Sequence, residues 1–272
     1  MRIWIISSWN DTLSLFAFLN HHEHEYLIIH DQTFFPYWTK NFSFIIEQIK
    51  HHIKTLKEKG VEKILLDPIY ELFFLNDWSY QNDLFPLFSH YLHHEVLPHS
   101  LVGKIGILTD QWSHEVAQNL FESQIKDFQL TPRQQSTKKF HFPFCYRVKS
   151  ATPRMEMIQT LWVHNPFLIK TMKNDLRYFK DTAADLFIPL HYRMFQMQRS
   201  INSFFNAHKT RFYGFSFLEK SFCEIVQSLW GAESSYQITI FTTQHEDFFW
   251  KEKKLVWLIS KWCKDTIHIE SY

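Results

Sequence analysis

Short, fully apolar runs alternate with longer stretches of helical period over the first hundred residues. "IWII" (Ile3 to Ile6) and "YLII" (Tyr26 to Ile29) predict buried strands, with "NDTLSLFAFLN" between them as a short helix capped by Asp11 or Thr12. "NFSFIIEQIKHHIKTLKEKG" sets Phe42, Ile45, Ile46, Ile49, Ile53 and Leu56 on one helical face. Lys54, Lys57 and Lys59 supply a cationic last turn, and Gly60 follows as the stop. "KILL" (Lys63 to Leu66) predicts a third strand. Strand, helix, strand, helix, strand with short connections predicts an α/β fold with a parallel sheet.

A second set starts at "GKIGIL" (Gly103 to Leu108), followed by the helical stretch "SHEVAQNLFESQI". "LIKTMKNDLRYF" predicts a helix and "DLFIPL" (Asp185 to Leu190) a strand. "RFYGFSF" and "YQITIFTT" are strand candidates, "WKEKKLVWLISKWC" a closing helix, and "LTPRQQSTKK" (Leu130 to Lys139) a loop. Two α/β lobes follow, the first from residues 1–99 with 210–272 and the second from 100–209.

At 272 residues, with 45% hydrophobic and 21% charged positions, the chain can bury a sizeable core and has no global signature of disorder. A net charge of +1 with both signs dispersed leaves no basic footprint for nucleic acid and no polybasic membrane patch. No run of about 18 apolar residues predicts a membrane span, and "MRIWIISSW" is too short for a secretory leader. Cys145, Cys223 and Cys263 are odd in number and widely spaced. They read as small apolar groups in a reducing, cytoplasmic setting. Only five glycines are present, which leaves no room for a P-loop or a dinucleotide fingerprint, and no cofactor is expected.

With the elements in this order, six segments resemble the glutamate racemase family of the aspartate/glutamate racemase superfamily. They are "IWIISSW", "DQTFFPYWTK", "KGVEKILLDPIY", "KIGILTD", "ADLFIPLHYRMF" and "IFTTQHEDFF". Asp31, Pro36, Tyr37, Lys40, His191 and Tyr192 are kept. The resemblance implies two racemase-type lobes with parallel sheets flanked by helices. It also implies an ancestral chemistry of two cysteine thiolates, one on each face of the substrate α-carbon, because inversion needs an acid and a base on opposite sides.

This chain departs from that pattern where the chemistry would lie. The two cysteine positions fall at Pro68 and Pro189, the first-strand aspartate at Ser7, and the residues after the first cysteine at Ile69 and Tyr70. Two glycine positions carry Trp9 and Trp38. The resemblance therefore implies a catalytically degenerate site, in which Tyr37, Trp38 and Lys40 are vestiges of ligand binding. His191 stands next to a former catalytic position and is a candidate acid or base there.

Other constellations have plainer readings. His21, His22, Glu23, His24 and Glu25 have zinc-ligand chemistry, but they crowd into five residues without a second half and read as a solvated turn. The pairs His51–His52 and His93–His94 read as surface, and no metal site is expected. Aromatics are abundant, at 28 Phe, 11 Tyr and 10 Trp. An exposed aromatic patch is therefore expected between Phe73 and Phe88, with Trp78, Tyr80, Phe85 and Phe88 as interface candidates.

The sequence thus favours a non-catalytic scaffold or adaptor with protein partners in a larger assembly. Nucleic acid, a membrane span and a small-molecule ligand are not expected. As a kind of chain, rather than through any motif, it is also similar to DotZ-like accessory subunits of bacterial type IV secretion coupling complexes. The alternatives are a small-molecule module with a remodelled cleft and a superfamily enzyme with altered chemistry through His191. A histidine facing an acid across the cleft would favour the last.

Overall fold

The computed structural model describes residues 2–6, 25–30, 40–58, 60–75, 77, 79–96, 104–109, 117, 145–150, 165–206, 210–230, 237–242 and 267–271. The strands β1 (Arg2–Ile6), β2 (Glu25–His30) and β3 (Lys63–Leu66) join β7 (Gln237–Thr242) and β8 (Ile267–Ser271) in one sheet. Its order is β3-β1-β2-β7-β8, and every pairing is parallel. A second parallel sheet runs β5-β4-β6, from β4 (Lys104–Thr109), β5 (Cys145–Ser150) and β6 (Leu186–Pro189). The last strands thus return to the first sheet across the intervening second one. The expected α/β class, with parallel sheets and helices, is what the chain adopts.

The helix α1 (Phe42–Glu58) buries Ile45, Ile46, Ile49, Ile53 and Leu56, the face its period sets inward. Asn41 accepts from the Phe44 N–H at its start, and Gly60 ends it at φ 76°, a left-handed value that favours glycine. His52 belongs to the same stripe and is buried, contrary to the surface reading of the His51–His52 pair. Position 52 lies three residues after Ile49 and four before Leu56, so the helical period predicts its burial better than its polarity does.

The helix α2 (Pro68–Leu75) follows β3 directly. The short α3 (Leu87–His90) runs into a π-helical turn, Tyr91–Val96. In the second lobe α4 (Pro166–Asp181) starts on Asn165, whose side chain accepts from the N–H groups of Phe167 and Leu168. It turns Leu168, Met172, Leu176 and Phe179 inward. A 3₁₀ turn (Tyr192–Met197), α5 (Gln198–Phe205) and α6 (Phe215–Trp230) follow.

The segment "RFYGFSF" is a correction. Only Arg211 makes a strand-like bridge, to Leu186, and α6 begins at Phe215. Leu218, Phe222 and Ile225 are buried at helical spacing, a period that outweighs the aromatic strand propensity of the preceding residues. Arg211 also exchanges backbone hydrogen bonds with Asp185 and Phe187, so this residue lies on the second sheet. No sequence expectation covered α2, the α3 segment, β5, the 3₁₀ turn with α5, or β8. The helices expected at residues 10–20, 113–125 and 250–263, and the loop at 130–139, lie outside the described residues, apart from Ala117.

The aromatic load goes largely inward. Phe85 and Phe88 are fully buried, with Phe85 against Phe222 (ring centroids 5.2 Å) and Phe88 against Tyr91 (5.7 Å). They are therefore core residues and not the exposed interface anchors expected from sequence. Phe73 is half-buried, edge-on to Phe42 and Phe74. Tyr80 is half-buried with its ring 4.9 Å from Phe74. Trp78 lies outside the described residues. Among those described, Phe167 is the one large apolar side chain left exposed, at 63%.

Gly106 in β4 lets α4 approach the sheet. A Cβ there would stand 2.4 Å from Phe179 Cδ1. Gly106→Ala should therefore cost about 1–3 kcal/mol by overpacking, and pairing it with Phe179→Leu should recover part of the loss in denaturant unfolding. Gly214→Ala meets only the flexible side chain of Gln198 and should cost less.

Candidate functional site

In parallel α/β sheets, ligand sites form beyond the carboxyl ends of the strands, where the strand order reverses. The first sheet reverses between β1 and β3, the second between β4 and β6. The residues leaving β3 and β6 at those points are Asp67 and His191.

Local structure explains both prolines beside them. Pro68 is the first residue of α2, a position whose N–H has no helical partner, and the Asp67 carbonyl accepts from the N–H groups of Tyr70 and Glu71. Pro189 is the last residue of β6, an edge strand, where a missing ladder donor is tolerated. Leu190 resumes the ladder by donating to the Leu108 carbonyl. Both prolines are thus at home as turn and cap residues.

The side chains that meet between the sheets are acidic, basic and phenolic. His191 Nδ1 lies 2.7 Å from Asp67 Oδ2, and the Tyr192 backbone N–H donates to Asp67 Oδ1 at 3.2 Å. An ionised carboxylate only accepts, so against it Nδ1 is the donor of that contact, and Nε2 is the ring nitrogen that points away from Asp67. Asp67 is 3% exposed and His191 6%. One turn along α2, Glu71 is fully buried and accepts from the N–H groups of Phe88 (2.9 Å) and Ser89 (2.6 Å), at the start of α3.

Burial pushes the Glu71 carboxyl up to about 8, against the opposing pull of those two N–H groups; the Asp67 carboxylate adds to the rise. Tyr192 is fully buried beside it. Its phenol is held well above its ordinary value by burial first, then by the charges of Glu71 and Asp67. Its hydroxyl neighbours the Glu71 carboxyl without a well-formed hydrogen bond to it.

Of the sequence-predicted site residues, His191 and Pro68 are brought to this cluster, with Pro189 two positions before His191. Lys40 lies exposed just before α1. Ser7, Trp9, Tyr37 and Trp38 lie outside the described residues. Asp67 and Glu71 were missed, although "LLDPIYE" places an acid directly after a strand and a second one helical turn on, which is a legible signal. The described groove of about 760 Å³ is elsewhere. It runs along α1 past Lys50, Lys54 and Lys57 to Ser79 and Tyr80.

Among the described residues no group of three or more His, Cys, Asp or Glu is arranged to hold a metal, and no helix is long and apolar enough to cross a membrane. Cys223 is half-buried, not buried as expected, and burial raises its thiol. Cys145 lies in β5 and Cys263 outside the described residues. His94 is exposed and its ring stacks on that of His90 at 4.2 Å.

No family model matches the chain, and neither does any curated protein. Solved structures do. Glutamate racemase isoform RacE1 from Bacillus anthracis superposes with a TM-score of 0.74 at 11% identity, over 99% of this chain and 96% of that one. The chain shares the fold of the aspartate/glutamate racemases. The Francisella tularensis glutamate racemase, solved with D-glutamate, gives a TM-score of 0.67 at 13% identity over 100% and 97% of the two chains. Picrophilus torridus aspartate racemase gives 0.53 at 11% identity over 84% and 94%. The racemase fold therefore extends over essentially the whole chain, while at these identities the chemistry has to be read from this chain's own residues.

Glu71 gives this racemase-fold core a pH dependence. Its folded-state value lies above the unfolded one, so its contribution is fully present below about pH 4.5 and is lost as pH rises through about 8. Urea titrations should show stability falling between pH 5 and 8.5 by on the order of 3–5 kcal/mol at most, and Glu71→Gln should flatten that slope.

Proposed function

We propose that this racemase-fold protein does not run two-thiol racemisation and serves as a scaffold or adaptor subunit in a protein assembly. The type IV secretion coupling complex is the assembly we put forward, on the general kind of chain and not on any motif. The observation carrying the reading is the pair of positions matched to the family's cysteines. Pro68 and Pro189 bear no titratable group, and each fits its place as a cap or strand-end residue. Beside them the strand ends are joined by a buried Asp67–His191 contact.

That same contact favours a second reading, a superfamily enzyme with altered chemistry. An aspartate that fixes a histidine tautomer leaves the opposite ring nitrogen as a candidate base. A single base accounts for proton removal from one face only. Racemisation needs a second group opposite, and neither proline supplies it.

Phe85 and Phe88 are core, so within the Phe73–Phe88 segment they drop out as partner anchors. Among the described residues, Phe167 at the start of α4 and Tyr80 beside the α1 groove are the anchors we propose in their place.

Incubation with D- or L-glutamate or aspartate in deuterated water should give no α-proton exchange above background, as should His191→Ala. Exchange that disappears in His191→Ala would establish the second reading instead. Affinity purification at native abundance should recover a stoichiometric protein partner, and recovery of none would overturn the scaffold reading. Loss of one positioned acid or base typically costs about 10²–10⁴-fold in rate, so this comparison has ample range.

A further inference from the structure

We propose that Asp67, His191 and the Tyr192 backbone form a clasp that fixes the two sheets to each other at their strand ends, and that ionisation of Glu71 loosens it. The clasp is independent of whether the protein is a scaffold or an enzyme.

Asp67 leaves the first sheet at the end of β3, whereas His191 and Tyr192 leave the second at the end of β6. The residues are 124 positions apart in the chain, yet both Asp67 oxygens are engaged from the other sheet, one by a ring N–H and one by a backbone N–H. Such two-point contact fixes orientation as well as distance. A carboxylate at 3% exposure without these donors would carry a large desolvation penalty, so parting the sheets here is costly.

Glu71 ties the clasp to the rest of the first lobe. It sits on α2 one turn after Asp67, holds the Phe88 and Ser89 N–H groups of α3, and faces the Tyr192 phenol from the second lobe. The groups around it are therefore Asp67, with His191 behind it, and Tyr192, with no lysine or arginine among those described as acting on it. A proton on Glu71 leaves one negative charge in the cluster. Its loss puts a second beside Asp67 and Tyr192, in a place closed to water, and parting the strand ends is the route by which both become hydrated. The direction agrees with the raised value of the Glu71 carboxyl.

The test measures the distance between lobes in the full chain. Spin labels are introduced through unnatural amino acids at the exposed positions Lys54 on α1 and Lys173 on α4. The wild-type distribution should be narrow at pH 6 and broader at pH 9.5, with the near-ultraviolet circular dichroism retained. Glu71→Gln should stay equally narrow or broad at both pH values. In a double-mutant cycle with Asp67→Asn and His191→Gln, the unfolding equilibrium constants should depart from additivity by about tenfold. A distribution that ignores pH in the wild type, or effects additive within about twofold, would overturn the clasp. Should either single variant fail to fold, the pH comparison between wild type and Glu71→Gln decides alone. Neither result bears on partner recovery, which tests the scaffold reading separately.

Discussion

A carboxylate cannot be buried without donors, and Asp67 is where this chain meets that requirement by drawing on two sheets at once. Its backbone carbonyl starts α2, while its side chain accepts from His191 and Tyr192 beyond β6. Moving either strand end changes the satisfaction of the same group. One residue therefore links the geometry of the candidate site to the mutual placement of the sheets, beside the ring contact of Tyr91 with Phe195. Glu71 extends the dependence to α3, whose first N–H groups it caps from a position seventeen residues earlier.

Much of the scaffold was legible in the sequence because its elements repeat one physical rule. Buried parallel strands read as short apolar runs, and β1, β2, β3, β4, β6 and β7 all carry one. The amphipathic faces of α1 and α4 were likewise visible in their period. The segment from Pro68 to Val96 was harder because α2 is buried along most of its length, so no polar face marks its period, and "YELFFLNDWSYQNDLFPLF" reads equally as core or patch. Phe88 meets Tyr91 one helical turn on, but Phe85 is covered by Phe222 of α6, a contact that no local rule supplies.

The site was legible in half. The resemblance of six segments to the racemases singled out His191 and both prolines, because they stand at or beside the positions matched to the family's cysteines. It passed over Asp67, one residue before Pro68, because nothing in the family pattern asks for an acid there. Charge at a strand's carboxyl end, followed by a second acid one helical turn later, is a signal independent of family. The partner across the sheets is not local and needs the fold.

The scarcity of glycine and the abundance of phenylalanine are two aspects of the same design. Gly106 is placed where α4 crosses β4, and the ring of Phe179 occupies the space its missing side chain leaves. Phe179 in turn meets Phe187 on β6, which meets Phe205 and Phe212. A single small residue thus admits a chain of interlocked rings that packs outward from the second sheet. Interiors built from large rigid rings adjust poorly to displacement, since ring-sized gaps cannot be closed by small rotamer changes. Packing of that kind holds the second sheet behind the strand end from which His191 reaches Asp67, so the contact between the sheets is backed by a core that yields little.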